Sequence, residues 1–319
     1  MGFKISPLLQ DHMCRLGSKT PFEEASEELA LLLGINVNGK QIERLCHCYG
    51  DQIGQIDWDM AYSDGVQLNI TESKSTSPVY CMADGSMLLT REDSWKEIKL
   101  GRIFSESQHI IGISKNRGMI TKSVYCAHFG NSDDFWERFN REIPSNRDLV
   151  FICDGAKWLW NNIDDFYPDS TQILDFFHCK EHICEFAKDY FKNAVVKKQK
   201  FIDDIIDKLT NQKVDDALKQ IAELNCKNEG KQLKKQKLLN YLTNNKKRID
   251  YGKYHENGLL IGSGPIEAAN RDVIQKRLKL SGQRWTIDGA QQVVNLRATL
   301  KSNRWDRVLF LINEHQKAA

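Results

Sequence analysis

The sequence predicts an α/β fold: a core built on a mixed five-stranded sheet, with an all-helical insertion and a small N-terminal helical module. Three observations predict it. Short alternating or continuously apolar runs crowd residues 78–128 and 149–177, the pattern of strands. From Lys197 to Arg248 apolar residues recur at helical spacing, as at Phe201, Ile205 and Leu209, with no proline. Two apolar runs lead into the same dipeptide, Asp84-Gly85 and Asp154-Gly155. A chain of 319 residues that is 41% hydrophobic is long enough for one large domain with an accessory part.

At the N-terminus, Thr20-Pro21-Phe22-Glu23 reads as an N-cap, a proline at the first helical position and a capping-box glutamate. The helix they open carries Phe22, Ala25, Leu29, Leu32 and Leu33 and stops at Gly34. Asn38 and Gln41 open a second helix, with Ile42, Leu45, Cys46 and Tyr49 on one face, ending before Gly50. Two helices joined by a tight turn fit a DNA-reading helix-turn-helix or a plain packing pair. A polar stretch from Thr71 to Ser77 precedes the strands. Pro78 to Ala83 runs into Asp84-Gly85, Glu97 to Phe104 alternates, and Lys122 to His128 is the third strand of an antiparallel meander. A helix from Ser132 to Arg141 turns Phe135, Trp136 and Phe139 inward. Leu149 to Cys153 is a fully buried strand, Gln172 to Phe177 is the fifth, and a helix follows from His178 to about Val195. The expected organisation is thus a helical module over 1–70, a core over 71–196, the helical insertion over 197–255, and the rest of the core with C-terminal helices over 256–319.

Composition narrows the function class. Lys and Arg total 45 against 43 acidic residues, so the net charge of +2 says little about a polyanionic partner. The distribution says more: Lys231, Lys234, Lys235, Lys237, Lys246, Lys247 and Arg248 face only Glu229, as a solvated helix face or a nucleic-acid surface. Nine cysteines show no CxxC spacing and the N-terminus has no secretory pattern, so reduced thiols in a cytoplasm are expected. The apolar stretch from Leu29 to Ile35 falls far short of the about 20 residues a bilayer requires, so a membrane is not an expected partner.

The chemistry lies in three carboxylates. Asp84 and Asp154 each follow an apolar strand, where a charge beside a core is costly unless something pairs with it. Mg²⁺ would supply that pairing, since it takes a few hard oxygen ligands and keeps water and phosphate oxygens; Mn²⁺ can substitute. Two such ions about 3.5–4 Å apart can activate an attacking oxygen and stabilise a leaving one. The plain alternative is that Asp-Gly marks a turn. Gly262-Ser263-Gly264-Pro265-Ile266-Glu267 is a tight turn entering a helix, with Glu267 in its first turn. The helix dipole and a salt bridge to Arg271 explain such a glutamate equally well, but not the glycine-rich lead-in.

The order strand-Asp84, strand-Asp154 and helix-borne Glu267 after a long helical insertion resembles the DDE transposases of bacterial insertion sequences, in particular the ISKra group and its Mutator-like relatives. Cys153-Asp154-Gly155-Ala156-Lys157-Trp158 is similar to their second-aspartate motif, Cys179-Lys180-Glu181-His182 to the C/DxxH motif that follows it, and Gly264-Pro265-Ile266-Glu267-Ala268 to the glutamate motif. Gly282-Gln283-Arg284-Trp285, Leu296-Arg297-Ala298 and Trp305-Asp306 resemble the family's C-terminal helices. The resemblance implies a ribonuclease-H-like core, metal ligation by Asp84, Asp154 and Glu267, and support of that site by Cys179 and His182. It also implies cleavage of transposon ends with strand transfer into target DNA, double-stranded DNA as partner, and a homo-oligomer. Family members usually carry a further N-terminal region, often with metal-binding cysteine pairs; with no CxxC here, the resemblance leads to the expectation of a truncated or split product, which bears on autonomous mobility.

Other residues admit two roles. His178, Cys179 and His182 fall short of the four ligands a zinc site takes, and His182 fits either a packed helix histidine or a partner of a catalytic carboxylate. Arg271, Lys276, Arg277, Lys279 and Arg284 follow Glu267 closely, where a phosphate backbone would pass, or form a solvated face. Among Trp158, Trp160, Trp285 and Trp305, core packing is the default, with Trp285 the candidate for stacking on a base. Two other functions share these residues: a structure-selective nuclease that cuts without joining, and a transposon-derived DNA-binding protein with vestigial carboxylates.

Overall fold

The computed structural model describes residues 5–56, 77–111, 118–226 and 228–317. The expected boundary near residue 70, and Thr71 to Thr76 of the polar stretch, lie outside the described residues. The fold is mixed α/β with a five-stranded mixed sheet among many helices. The chain divides into two compact units, one made of Met1–Asp148 and Pro265–Ala319, the other of Leu149–Gly264.

The first unit opens with helices α1 (Pro7–Lys19), α2 (Phe22–Leu33) and α3 (Gly39–Gln55). Helix α1 was not anticipated; Ser6 caps it and proline stands in its first turn. Its C-terminal cap is Thr20, whose hydroxyl and N–H both bond the Leu16 carbonyl. The capping box expected at Thr20 and Glu23 is therefore not formed: Pro21 occupies the cap of α2 and no side chain caps it. Gly34 closes α2 at φ 66°, and the Asn38/Gln41 capping box opens α3 as expected. Helix α3 does not stop before Gly50. Gly50 lies against the backbone of Gln292, where a Cβ would stand 2.1 Å from the carbonyl oxygen. The glycine there permits close helix packing rather than termination.

Three antiparallel strands follow, β1 (Val79–Leu89), β2 (Trp95–Ser105) and β5 (Val124–Phe129), with β2 in the middle. Strands β3 (His109–Ile111) and β4 (Gly118–Ile120) form a small separate hairpin. Strand β1 runs through Asp84-Gly85 instead of ending there, with Asp84 opposite Leu100 and Leu89 opposite Trp95. The turn reading of Asp84-Gly85 is thus overturned; β2 is long enough to pair with β1 throughout, so no backbone group is freed for a turn. Helix α4 (Ser132–Asn140) buries Phe135, Trp136 and Phe139 as expected. The unit's C-terminal part holds α11 (Gly264–Ala269), a π-helical segment Asn270–Gln275, α12 (Lys276–Leu278), α13 (Ile287–Lys301) and α14 (Asp306–Lys317). Met13, Leu29, Ile42, Leu45, Tyr49, Leu296, Trp305 and Val308 share one buried cluster, so the N-terminal helices and the last two form a single core.

The second unit holds the parallel strands β6 (Leu149–Cys153) and β7 (Thr171–Leu174). Strand β7 ends earlier than expected because Asp175 caps the next helix through the His178 N–H. The helices are α5 (Lys157–Phe166), not foreseen, then α6 (Phe176–Phe191), α7 (Val195–Thr210), α8 (Val214–Ala222), α9 (Glu229–Asn244) and α10 (Tyr251–Glu256). Phe201, Ile205, Leu209, Ala217, Ile221, Leu238 and Leu242 are buried, as the periodicity of the helical stretch requires. The basic run is largely engaged within this unit. Lys235 is buried and donates to the Ala222 and Leu224 carbonyls at 3.0 Å each. Lys234 pairs with Asp189 and Lys246 with Asp215, while Arg248 bonds Asp164 and Gln172 and lies over the Trp160 ring. No helix among the described residues is long and apolar enough to cross a membrane.

Candidate functional site

In the first unit, β1 presents Asp84 half-buried. One carboxylate oxygen accepts the Gly85 N–H at 2.7 Å and the other accepts the Asn270 side-chain amide at 2.6 Å, across 186 residues of chain. Asn270 follows Glu267 by three positions and begins the π-helical segment Asn270–Gln275; it is buried. Glu267 itself is exposed, in the first turn of α11. Two further bonds fasten this segment to the sheet. The buried Arg102 on β2 donates to the Pro265 carbonyl at 2.6 Å and to the Ser123 hydroxyl at 2.9 Å. Lys279 donates to the Ser86 hydroxyl at 2.7 Å. Burial lowers the affinity of Arg102 for its proton, and partial desolvation does the same at the more exposed Lys279, where the Asp84 carboxylate opposes that effect.

The π-helical segment has its own support. A π turn bonds i to i+5 and disturbs the neighbouring α pattern. The guanidinium of Arg297, buried in α13, donates to the carbonyls of Asp272, Val273 and Ser18. Burial pulls the Arg297 pKa down to about 10, which leaves it cationic near neutral pH.

The second unit holds Asp154 immediately after β6. Its carboxylate accepts the Ala156 N–H at 2.9 Å, and its backbone carbonyl accepts the Trp160 indole N–H at 2.7 Å. Gly155 leaves room for Tyr241, whose ring would stand 2.8 Å from a Cβ there. The Tyr241 ring also lies 4.2 Å from His182, which in turn meets His178 edge-on at 4.8 Å. Burial holds the His182 pKa below the usual imidazole range, with His178 adding to the effect, so its neutral form is favoured. Cys179 is fully buried and its thiol is pushed up to about 11 by burial, which makes it an inert packing group near neutral pH. Asp175 accepts the N–H groups of His178 and Ser263, tying the glycine-rich segment before α11 to the start of α6.

The remaining expected residues separate. Arg271, Lys276, Lys279 and Arg284 are exposed, Lys276 in an ion pair with Asp272. Arg277 is only 1% exposed: it donates to the Gly17 carbonyl and lies over the Phe22 and Trp285 rings. Trp285 is buried, donates its indole N–H to the Leu278 carbonyl and bridges Thr90 beside the end of β1. Both are therefore part of the packing around α12. Trp305 is buried and bonds Asp11, and Trp160 is buried against Arg248; packing accounts for each.

Among the described residues no group of three or more His, Cys, Asp and Glu side chains forms a metal-holding cluster. In the first unit, Asp84 and Glu267 offer carboxylate oxygens, the donor type that a hard cation such as Mg²⁺ takes. No local sequence pattern singles out Asn270, Arg102 or Tyr241, and Arg297 stands out only within the Leu296-Arg297-Ala298 stretch, with no role attached to it. Compared with known proteins, the chain matches no protein-family model and no curated protein.

Proposed function

We propose that this chain is a DDE-type transposase with a ribonuclease-H-like core, which hydrolyses phosphodiester bonds at transposon ends and joins the freed 3′-hydroxyl to target DNA. The observation that carries this reading is the tie between Asp84 and the helix of Glu267. The Asn270 amide, three positions after Glu267, donates to Asp84, and the Arg102–Pro265 and Lys279–Ser86 bonds fasten the same segment to the strands. Asp154, directly after β6, is the third member by its place in the chain. In this reading Asp84, Asp154 and Glu267 hold Mg²⁺ or Mn²⁺, two ions in all, which when bound neutralise charge on the scissile phosphate and lower the pKa of the attacking water. Cys179 and His182 support the Asp154 side, Cys179 by packing and His182 as a neutral imidazole. Arg271, Lys276, Lys279 and Arg284 supply phosphate contacts, and α2 with α3 supplies a DNA-reading module. The enzyme acts as a homo-oligomer in a cytoplasm, on double-stranded DNA carrying terminal inverted repeats and on target DNA.

The test is to incubate purified protein with Mg²⁺, labelled DNA carrying the inverted repeats that flank its gene, and a target plasmid. Cleaved and joined products are expected, and Asp84→Asn, Asp154→Asn and Glu267→Gln should each reduce both by at least about a hundredfold, as loss of an electrostatic catalytic group does. Cleavage without joining assigns a nuclease, and binding alone assigns a DNA-binding protein. Full activity in all three variants refutes the mechanism.

A further inference from the structure

Asn270 has a property that packing does not explain. It is 2% exposed, its Nδ2 donates to Asp84 at 2.6 Å, and its Oδ1 is buried and accepts no hydrogen bond among the described residues. A buried amide oxygen without a donor is costly, and a leucine of nearly the same shape would avoid that cost. Asn270 is also the first residue of the π-helical segment, whose carbonyls at Asp272 and Val273 are held by Arg297. Wide turns of this kind recur at functional sites because they re-aim a side chain that a regular helix would place elsewhere. The backbone thus carries an irregularity, and the side chain an unpaired oxygen, at the point where one bond reaches the Asp84 carboxylate.

We propose that Asn270 is a positioning residue for Asp84: through its amide N–H it sets the orientation of that carboxylate for metal, and the π segment braced by Arg297 sets the orientation of Asn270. The inference rests on the transposase reading, because it takes Asp84 to be a metal ligand. An N–H donated to one carboxylate oxygen, with the Gly85 N–H on the other, restricts rotation of the group and fixes the directions of the remaining lone pairs. Side chains that orient a ligand in this way influence metal affinity without touching the metal.

The test measures Mn²⁺ binding to the full chain by electron paramagnetic resonance, independently of DNA cleavage, together with thermal stability. Asn270→Leu keeps the shape and removes both the donor and the unpaired oxygen. Mn²⁺ affinity is expected to fall by about tenfold or more, the usual effect of losing a partner that orients a ligand, with a modest fall in melting temperature because the half-buried Asp84 carboxylate loses one donor and keeps the Gly85 N–H. A merely structural role predicts the same fall in stability with unchanged affinity. Asn270→Gln, which keeps the amide on a longer arm, should weaken Mn²⁺ binding to a similar degree and decides the matter if the leucine variant does not fold. In the Asp84→Asn background, Asn270→Leu should weaken binding no further. Unchanged Mn²⁺ affinity in folded Asn270 variants, with Asp84→Asn and Glu267→Gln both defective, overturns this inference alone. Unchanged affinity in Asp84→Asn and Glu267→Gln as well overturns the transposase reading and this inference with it.

Discussion

Gly50→Ala tests the packing of the first unit through the sign of its effect. In an open helix interior, replacing glycine by alanine stabilises by about 1 kcal/mol, because it removes conformational freedom from the unfolded chain. At Gly50 the added Cβ would stand 2.1 Å from the Gln292 carbonyl oxygen, 2.6 Å from its carbon and 3.0 Å from its Cα. These are backbone atoms of α13, so relief requires separating the two helices by about 1 Å or more to reach ordinary contact distance, which forfeits roughly a quarter to a half of the dispersion energy at the seam. The buried Leu45, Cys46, Tyr49 and Ile53 lie on that helix, so overpacking is expected to cost about 3 kcal/mol, at the upper end of the usual range. Set against the propensity gain, the net loss is about 2 kcal/mol, or roughly 4–8 °C in melting temperature for a cooperative unit of this size. Thermal and urea unfolding of the full chain, followed by circular dichroism, measure it. Gly230→Ala is the matched control: only the Asn228 side chain comes within 4 Å of its Cβ, at 3.6 Å, so it should be neutral or slightly stabilising. If Gly50→Ala is as stable as the parent, α3 and α13 do not approach as described.

Lys235→Met should destabilise the second unit by about 1–3 kcal/mol, because the Ala222 and Leu224 carbonyls lose their buried donor. A urea titration showing no change in midpoint would return Lys235 to the solvated surface. Stability should also fall on acidification below about pH 6.5, and the sign follows from three histidines. Burial is the largest influence on His47, His128 and His182, and it places each folded pKa below the unfolded value. The unfolded chain therefore binds protons first as pH falls, stability declines through that window, and the decline ends below the folded pKa values. Asp164 and Asp272, held low by Arg248 and Lys276 respectively, act only at lower pH, near and below the ordinary aspartate range. His182→Gln should reduce the slope of melting temperature between pH 6.5 and 5; a parent profile that is flat or rises toward acid in that interval contradicts the burial of these imidazoles.

Local chemistry was legible where it dominates. Asn38 and Gln41 form the capping box their spacing announces, and Leu149 to Cys153 form the buried strand their unbroken apolar run announces. Gly50 and Asp84-Gly85 misled because glycine serves both turns and close approach, and only the partner distinguishes them. In one case that partner is Gln292 and in the other it is β2, both remote in sequence. Arg277 was read as surface charge, since arginine is seldom fully buried. Stacking between Phe22 and Trp285, with the Gly17 carbonyl as acceptor, makes burial tolerable. No local pattern around residue 277 contains that information. Helix α5 carries no start signal, since Ala156 stands at its N-cap and no side chain caps it.

The π-helical segment bears most directly on the basic residues after Glu267. An α-helix advances about 100° per residue, so one residue of extra width in a turn rotates everything downstream by about that amount. Reading 264–279 as a regular helix would therefore assign the wrong faces to Arg271, Lys276, Arg277 and Lys279. The wider turn lets Arg277 reach Gly17 in the core while Lys279 reaches Ser86, two positions along β1 from Asp84. Ser86 and Asp84 lie on the same face of the strand, since alternate residues share a face. The sheet thus receives Asn270 and Lys279 from one irregular helix on the face that carries Asp84. A regular helix could satisfy the Asp272 and Val273 carbonyls without recruiting a buried guanidinium, so Arg297 is the compensation that keeps this irregularity in place.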